Sequence, residues 1–526
     1  MSNKVIYIIA FGIYMIAMIL IGVATSKNKN NEDYFLGGRG LGSWTAALSA
    51  QASDMSGWLL MGLPGAIYLA GTGEVWIAIG LFIGTVLNWW LVARRLRKYT
   101  IAANNSLTIP SFFENRFRDK TGILKIVSAV VIIVFFSVYT ASAFSSGAKL
   151  FSNVFGNSTG TEIDKTAYLI GLTIAAVVIL VYTFMGGFKA VCYTDFVQGL
   201  LMIVAILSVP IIAYIVVTKD YGSLSSALFV KGVENPEGYL SFMKDANGNP
   251  ISAVSIISNL GWALGYFGMP HILIRFMAIK TDKEVKKSRI IAIVWLIISL
   301  TAACLLGLIA RGYLNPVLTA DTSETVFIRC IMQIFNRSDI LVFIGGIFLC
   351  GIMAAIMSTA DSQLLVTASA VSEDLYKGKI KKNASDKSSL WVGRIAVIVV
   401  AVIAFIIATD EKSSIMDLVS DAWAGFGACF GPVVLLSLFW KRYNLPGAVT
   451  SMIVGFVTVI VWDYIPFFNI TTDAGTITTI YQKTGLYSLV VGFALALVIG
   501  VIVTLCTKAP SKEIQDEFDS VKAIEL

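Results

Sequence analysis

The sequence predicts an all-α integral membrane protein with about thirteen transmembrane helices. Hydrophobic residues make up 56% of the 526 residues, charged residues make up only 14%, and the mean hydropathy is +0.78. A soluble protein carries about 25% charged residues, so this chain has too little polar surface to fold in water. The composition therefore excludes a soluble enzyme, a nucleic-acid-binding protein and a secreted disulfide scaffold, and it predicts that the chain lies in a lipid bilayer.

Thirteen apolar segments are long enough to cross a bilayer about 30 Å thick. Helices are the expected form, because an isolated strand in lipid would leave its backbone groups unpaired. If the N-terminus lies outside, about 29 of the 40 basic residues fall on the cytoplasmic side, as the positive-inside rule requires, and the C-terminus is cytoplasmic. The expected spans are 4–25, 43–70, 74–94, 122–150, 166–186, 190–217, 252–276, 289–311, 340–370, 390–408, 414–440, 443–464 and 484–507.

The spans are expected to form a single transmembrane domain over 1–507, followed by a polar cytoplasmic tail at 508–526. The longest external connection, about 218–251, has turn residues and little periodicity, so no soluble domain is expected between spans. The six cysteines are scattered without a Cys-x-x-Cys pair, and there is one histidine. These counts argue against a metal cluster, a disulfide framework and a Ser/His/Asp triad.

Two of the apolar segments are interrupted near the middle. The second contains 53–57 (SDMSG), and the seventh contains 261–271 (GWALGYFGMPH). Such interruptions usually mark a binding site, because unwound carbonyls and half-helix ends then face a ligand. Packing through glycine and kinking at proline is the alternative. Because the breaks lie five segments apart and run in opposite directions, they indicate an inverted repeat of spans 2–6 and 7–11, within about 43–217 and 252–464.

Three carboxylates lie inside apolar segments: Asp54 in the second, Asp195 in the sixth and Asp361 in the ninth. An aspartate at the centre of a membrane helix costs about 2.5–3.5 kcal/mol on insertion scales, so each needs a partner or a function. Asp54 lies in the first break. Asp195 has the alternative of being an interfacial charge, and Asp361 has the alternative of a purely structural pairing with a neighbouring helix.

The ninth segment also presents hydroxyl groups on one face. Ala355, Ser358, Thr359 and Ser362 share this face at helical spacing. A cluster of carbonyl, hydroxyl and carboxylate oxygens suits a hard cation, and here the expected ion is sodium. Back-bonding of the hydroxyls to their own helix is the alternative.

The interrupted segments and their neighbours resemble the sodium/solute symporter family, in its sodium/proline symporter branch. The resemblance covers nearly the whole chain and implies the leucine-transporter-like 5+5 inverted-repeat fold, with one extra N-terminal and two extra C-terminal helices. It also implies sodium-coupled import of L-proline. The matching motifs are 53–65, 186–191 with 194–199, 262–271, and 354–365 with 373–376.

The resemblance also implies which residues bind. It assigns the main sodium site to the backbone oxygens of Ala52, Met55 and Ala355 and to the hydroxyls of Ser358 and Thr359. It assigns substrate contacts to Tyr139, Trp262, Tyr266 and Pro270, with Ser56 and Gly57 close by, and Asp54 matches an essential aspartate of the helix break.

A second sodium site is present in some family members. It would use an acidic residue matching Asp195 and hydroxyls matching Ser358 and Ser362. Asp361 stands where one serine of that site is expected, so the occupancy of the site and the sodium stoichiometry stay open.

Several functions remain to be distinguished. Sodium is the expected coupling ion, with no organic cofactor, no nucleic acid and no obligate protein partner. The expected substrate is L-proline or a similar small zwitterion, and the expected location is the cell membrane. The alternatives are another small neutral solute, such as a different amino acid or pantothenate, and a transport-inactive nutrient sensor. A channel is disfavoured because two broken helices suit alternating access better than an open pore.

Overall fold

The computed structural model describes residues 2–25, 31–381, 383–466 and 478–524. Over these residues the chain forms helices and two isolated β-bridges. Among the described helices, eleven are long and apolar enough to cross a membrane, and two more crossing segments are each broken in two. The thirteen are α1 Asn3–Thr25, α2a Ser43–Asp54 with α2b Leu63–Ala70, α3 Val75–Leu87 continuing to Ala93–Ala102, α4 Ile123–Phe155, α5 Lys165–Met185, α6 Phe188–Tyr221, α7a Ala253–Gly261 with α7b Pro270–Met277, α8 Asp282–Tyr313, α9 Asp339–Ser369, α10 Asp386–Ile407, α11 Ile415–Phe439, α12 Leu445–Tyr464 and α13 Ser488–Cys506.

Each predicted span corresponds to one of these helices, and the predicted fold class is confirmed. Several helices are longer than predicted, because an apolar run ends where the helix leaves the hydrocarbon layer. For example, α8 begins at Asp282 rather than near residue 289, and its start is capped by Thr281, whose hydroxyl accepts the Glu284 N–H at 3.2 Å. Short helices that the sequence did not predict include Ile109–Phe117 and Val326–Phe335.

The burial pattern separates helices that face lipid from helices that form the interior. On α10 the exposed side chains Ile395, Val399, Val402 and Ile406 recur at helical spacing, as expected for a surface covered by lipid. In contrast, 83% of the most apolar part of α11 is buried inside the protein, against 28% for α10. Therefore α11 belongs to the interior of the bundle, although both helices are apolar enough to span a membrane.

The two broken helices lie inside the bundle and have different local causes. In α7, Pro270 starts α7b, and the preceding Met269 is extended (φ −77°, ψ 106°), because proline disfavours helical backbone in the residue before it. In α2, the helix ends at Asp54 and Met55 leaves the helical region (φ −82°, ψ 71°). Helix α2a packs on α6, α8 and α9, and the middle of α7 packs on α11 and α3. Both breaks are thus surrounded by protein.

At one end of the bundle, Glu324 lies in the connection between α8 and α9 and links two other helices. Its carboxylate accepts hydrogen bonds from Lys149 Nζ at 2.6 Å and from the N–H groups of Ile415 and Met416, each at 3.0 Å. The start of α11 favours an anion, because its first N–H groups have no partner within the helix. Glu324 therefore links α4 to the start of α11.

The opposite end of the bundle is held by Arg39. Its guanidinium donates to Thr100 Oγ1 at 3.1 Å, to the Ser106 carbonyl at 2.8 Å and to the Met277 carbonyl at 2.9 Å. These contacts join the chain before α2a to the end of α3 and to the end of α7b. The expected polar tail contains the helix Lys512–Ser520, which packs on the same end through Phe518.

Candidate functional site

The break in α2 frees a backbone oxygen that α9 then contacts. Ser56 N–H donates to the Asp54 carbonyl at 3.0 Å rather than to Ala52, its partner in a continuous helix. The Ala52 carbonyl instead accepts the hydroxyls of Ser358 at 2.7 Å and Thr359 at 3.4 Å. All of these groups are buried. The structure therefore brings the two predicted hydroxyls onto the broken helix.

Two more of the predicted cation ligands lie at the same place. Ser358 Oγ is 3.2 Å from the Ala355 carbonyl, so this oxygen is close to the one from Ala52. Met55 is the residue at which α2a ends, and Leu59 N–H donates to the Ser56 carbonyl instead of to Met55. Ser358 does bond to its own helix, but it bonds to α2 at the shorter distance. Back-bonding alone is therefore not the whole account of this hydroxyl.

Asp54 joins the two breaks. Its Oδ2 accepts the Tyr266 hydroxyl of α7 at 2.7 Å. Its carbonyl accepts Trp58 Nε1 at 2.9 Å and the Tyr139 hydroxyl of α4 at 3.4 Å. Asp54 Oδ1 has no hydrogen-bond partner among the residues that the structure describes. A buried acceptor of this kind is available to a ligand that carries a donor.

The predicted aromatic residues form a cluster with α11. The Tyr266 ring contacts the Trp423 ring edge to face, with centroids 4.9 Å apart, and Trp423 Nε1 donates to the Trp262 carbonyl at 2.8 Å. The Trp262 ring stacks on Tyr487 at 5.5 Å. Trp423 and Tyr487 were not predicted, because nothing in their local sequence distinguishes them from other aromatic residues of membrane helices.

The remaining predicted substrate residues lie at the ends of the breaks. Pro270 is the first residue of α7b. Ser56 and Gly57 are buried at the break in α2, and Gly57 lies so close to Ser146 of α4 that a Cβ at Gly57 would collide with Ser146 Oγ. The predicted substrate residues therefore surround the junction of α2, α4 and α7.

Asp195, the predicted centre of a second cation site, is paired with an arginine. Its Oδ2 accepts Arg275 Nη2 at 3.1 Å and Ser49 Oγ at 2.7 Å. Arg275 Nη2 also donates to Ser362 Oγ at 2.5 Å. Asp361 lies beside this group, and its Oδ1 accepts Ser362 Oγ at 3.3 Å. The sequence-based prediction missed Arg275, although a basic residue in an apolar stretch such as 270–277 is itself a signal of function.

Two broken membrane helices that meet near the middle of the bundle, next to a cluster of oxygen atoms, are typical of secondary active transporters. Comparison with known families agrees with this class, since the profile of the sodium:solute symporter family matches residues 34–455. The chain belongs to the sodium:solute symporter family. It is accordingly a multi-pass membrane protein that uses sodium as the coupling ion, and the family and branch named from the sequence are confirmed.

Individual relatives match almost the whole chain. The osmoregulated proline transporter OpuE of Bacillus subtilis (strain 168) is 45% identical over 507 residues, which is 96% of either chain. The sodium/proline symporter of Escherichia coli (strain K12) is 44% identical, over 98% of this chain and 96% of the relative. The sodium/proline symporter of Staphylococcus aureus is 39% identical, over 99% and 97%.

Solved structures show the same fold at low identity. A sodium-coupled sialic acid symporter, in a substrate-bound outward-open state, superposes with a TM-score of 0.72 and 19% identity, over 96% of this chain and 99% of that chain. MhsT in complex with L-phenylalanine superposes with a TM-score of 0.51 and 15% identity, over 88% and 97%. These two comparisons support the leucine-transporter-like fold predicted from the sequence.

Proposed function

We propose that this protein imports L-proline together with sodium by alternating access. The observation that carries the proposal is the meeting of α2, α7 and α9, where Ser358 and Thr359 bond to the Ala52 carbonyl and Tyr266 bonds to Asp54. The cation ligands and the aromatic cluster are thus attached to the same broken helix. The naming of relatives at 39–45% identity as proline transporters favours proline as the substrate.

Sodium would bind at the end of α2a. Its proposed ligands are the carbonyls of Ala52, Met55 and Ala355 and the hydroxyls of Ser358 and Thr359. Carbonyl and hydroxyl oxygens suit a hard cation, and the C-terminal end of a half-helix adds a negative dipole. Because sodium would link α2 to α9, its binding is coupled to the packing of these two helices.

Proline would bind at the junction of the two breaks. In the proposed pocket, Trp262 and Tyr266 cover the apolar ring, with Tyr139 and Pro270 beside it. Backbone groups near Ser56 and Gly57, at the start of the outer half of α2, would take the carboxylate. Asp54 would respond to both ligands, because it lies between the sodium ligands and the tyrosines.

Substituting Gly57 with alanine tests how closely α2 must approach α4. The new Cβ would collide with Ser146 Oγ and would lie 2.8 Å from Ser146 Cβ, so the break must move. We expect the rate of proline uptake to fall roughly tenfold or more, since displacements of about 1 Å at a functional site can cost a factor of a hundred. The measurement is the initial rate of labelled proline uptake per reconstituted transporter.

Two variants control for a general effect of the added methyl group. Gly12→Ala in α1 places a Cβ where no atom lies within 4 Å, so its uptake should equal that of the wild type. Ser146→Gly combined with Gly57→Ala removes both clashing atoms and should recover most of the rate. Full activity of Gly57→Ala alone would contradict the close packing described at this break.

The proposed topology follows from the apolar segments and from the charges between them. The transport domain would span 1–507, with inverted repeats within about 43–217 and 252–464, and the tail at 508–526 would be cytoplasmic. The N-terminus would lie outside and the C-terminus inside, as the distribution of lysine and arginine predicts. No organic cofactor is required, because the sodium gradient and the membrane potential supply the free energy.

Coupling to one sodium ion sets a limit on accumulation. A potential of about 100 mV is worth about 2.3 kcal/mol per charge, and a tenfold sodium gradient adds about 1.4 kcal/mol. Together they limit proline accumulation to about 500-fold. Because proline is a zwitterion without net charge, each cycle would carry one positive charge inward, so transport should be electrogenic.

The substrate is tested in proteoliposomes with an inward sodium gradient. Labelled L-proline should accumulate, and unlabelled proline should compete better than other neutral amino acids or pantothenate. Strong sodium-driven uptake of another solute without competition by proline would contradict the substrate but not the transport class. A nutrient sensor would bind proline without accumulating it.

A further inference from the structure

We propose that a basic cavity at one end of the bundle binds the phosphate group of an anionic lipid. The cavity has a volume of about 640 Å³ and lies between the start of α1, the end of α4 and the helix Val326–Phe335, which comes just before α9. The residues proposed to bind sodium and proline are not among the described residues that line it. The inference therefore goes beyond the proposed function and does not depend on it.

The charges of the basic cavity favour an anion. Among the described residues that line it, Lys4, Arg329 and Arg337 are cations and none is a carboxylate. Under the proposed topology this end of the bundle faces outward, where the positive-inside rule leaves only about 11 of the 40 basic residues. Three of these residues meet at one cavity. The cavity thus offers a concentrated positive charge on a side of the protein where basic residues are scarce.

The two arginines have hydrogen-bond donors left over for a ligand. Arg329 donates from Nε to Thr325 Oγ1 at 3.0 Å and from Nη2 to the Thr159 carbonyl, so its Nη1 has no partner among the described residues. Arg337 makes no side-chain hydrogen bond and no salt bridge within the described part of the chain. A guanidinium carries five N–H groups in a planar fork, which can bind a phosphate through two parallel hydrogen bonds. The phosphate would therefore be held by these two guanidinium groups.

Lys4 has a structural task in addition. Its Nζ donates to the Phe155 carbonyl at 2.6 Å, and a cation at the end of a helix such as α4 stabilises the last carbonyl groups. The carboxylate of Asp164 lies near Lys4, but it accepts the N–H groups of Asn157 and Ala167, each at 3.0 Å. Helix capping thus accounts for the lysine but not for the two arginines.

The surroundings of the basic cavity favour a lipid over a soluble anion. Directly after the lining residues, α1 and α9 expose large apolar side chains, since Ile8 is 58% and Ile340 is 75% exposed. Tyr7 and Met332 line the cavity and add apolar surface next to the cations. Basic pockets between membrane helices can hold lipid headgroups. A lipid would bind the arginines through its phosphate while its acyl chains cover the exposed side chains, whereas a small soluble anion can do only the first.

The primary test measures lipid binding to the purified full-length protein in detergent. Phosphatidylglycerol, phosphatidylcholine with the same acyl chains and inorganic phosphate are titrated separately, and the midpoint of thermal unfolding is recorded. A ligand that binds only the folded protein raises this midpoint, and the concentrations that give an equal rise stand in the ratio of the dissociation constants.

We expect phosphatidylglycerol to give the same rise at a concentration about tenfold or more below that of phosphatidylcholine, because two cations contribute to its binding. Equal potency of the two lipids would overturn the inference. An equal rise with inorganic phosphate at the concentration of phosphatidylglycerol would assign the cavity to a soluble anion and would overturn it as well.

Arg337→Gln tests the cavity itself. Because this side chain has no partner among the described residues, the variant should fold like the wild type. We expect its affinity for phosphatidylglycerol to fall about fivefold, the contribution of one cation beside an anionic lipid, and its affinity for phosphatidylcholine to stay unchanged. Arg337→Lys keeps the charge and should restore part of the lost affinity. Wild-type affinity for phosphatidylglycerol in Arg337→Gln would contradict the inference.

Two double variants separate the cavity from the general charge of this end of the bundle. Arg329→Gln combined with Arg337→Gln removes both phosphate-binding groups, so most of the preference for phosphatidylglycerol should disappear. Lys219→Gln combined with Lys412→Gln is the matched control, because it removes two exposed cations that lie outside the cavity on the same proposed side. This control should keep the wild-type preference. Loss of the preference in the control would show that net charge selects the lipid, and it would overturn the inference.

Discussion

Substituting Ser358 or Thr359 with alanine is expected to weaken the apparent affinity for sodium about tenfold or more. Each variant loses a hydroxyl that contacts the Ala52 carbonyl at the break in α2. If a cation–oxygen contact is worth as much as a hydrogen bond to a charged group, about 1.5–3 kcal/mol, then each loss corresponds to at least a factor of ten. Proline affinity should fall mainly at limiting sodium, because coupling between two ligands is reciprocal. The measurement is proline uptake as a function of sodium concentration.

The same helix offers a matched control. Ser369 is also buried on α9, but its hydroxyl donates to the Val366 carbonyl of its own helix at 2.8 Å. Ser369→Ala should therefore keep the sodium dependence of the wild type. If the variants of Ser358 and Thr359 behave like this control, the two hydroxyls only bond within the protein and the proposed sodium site is wrong.

Truncating Tyr266 is expected to weaken proline binding about tenfold or more at saturating sodium. Its ring lies against Trp423 and its hydroxyl donates to Asp54. Burying roughly 80–100 Å² of the apolar proline ring against this cluster is worth about 2 kcal/mol at about 25 cal/mol per Å². Trp262→Ala should have a similar effect. The sodium dependence of both variants should change little once proline is saturating, because the proposed cation ligands lie on α2 and α9.

Tyr266→Phe separates the ring from the hydroxyl. This variant keeps the aromatic surface and removes the hydrogen bond to Asp54. Any decrease in proline affinity relative to the wild type therefore measures the contribution of this hydrogen bond between the two breaks. Tyr443→Phe is the matched control, since this buried hydroxyl is 3.0 Å from Ser451 Oγ, outside the helix breaks. Wild-type proline affinity in Tyr266→Ala would contradict the proposed pocket.

Much of the fold follows from local sequence. Apolar runs are long enough to specify each membrane helix, and Pro270 specifies where α7 resumes, since it disfavours a helical backbone at Met269. The stretch 53–57 specifies the other break through a carboxylate, two serines and a glycine in an otherwise apolar helix. The positions of Ser358 and Thr359 on one face of α9 followed from helical spacing, and the structure places that face on α2.

What could not be predicted depends on contacts between distant segments. Arg275 and Asp195 are 80 residues apart, and only the packing of α7b on α6 brings them together. The same holds for Lys149 and Glu324, and for Trp423 beside Tyr266. Resemblance to a family assigned Asp195 to a cation site, but the identity of its partner required the three-dimensional arrangement.

The most direct test of sodium-coupled import is proline accumulation against its own gradient. Purified protein is reconstituted into proteoliposomes, the membrane potential is clamped at zero, and labelled proline is present at equal concentration on both sides. With a tenfold inward sodium gradient, we expect net accumulation toward a limit of about tenfold, since this gradient is worth about 1.4 kcal/mol per sodium ion. With equal sodium on both sides we expect none. Equal proline distributions under both conditions would contradict the account.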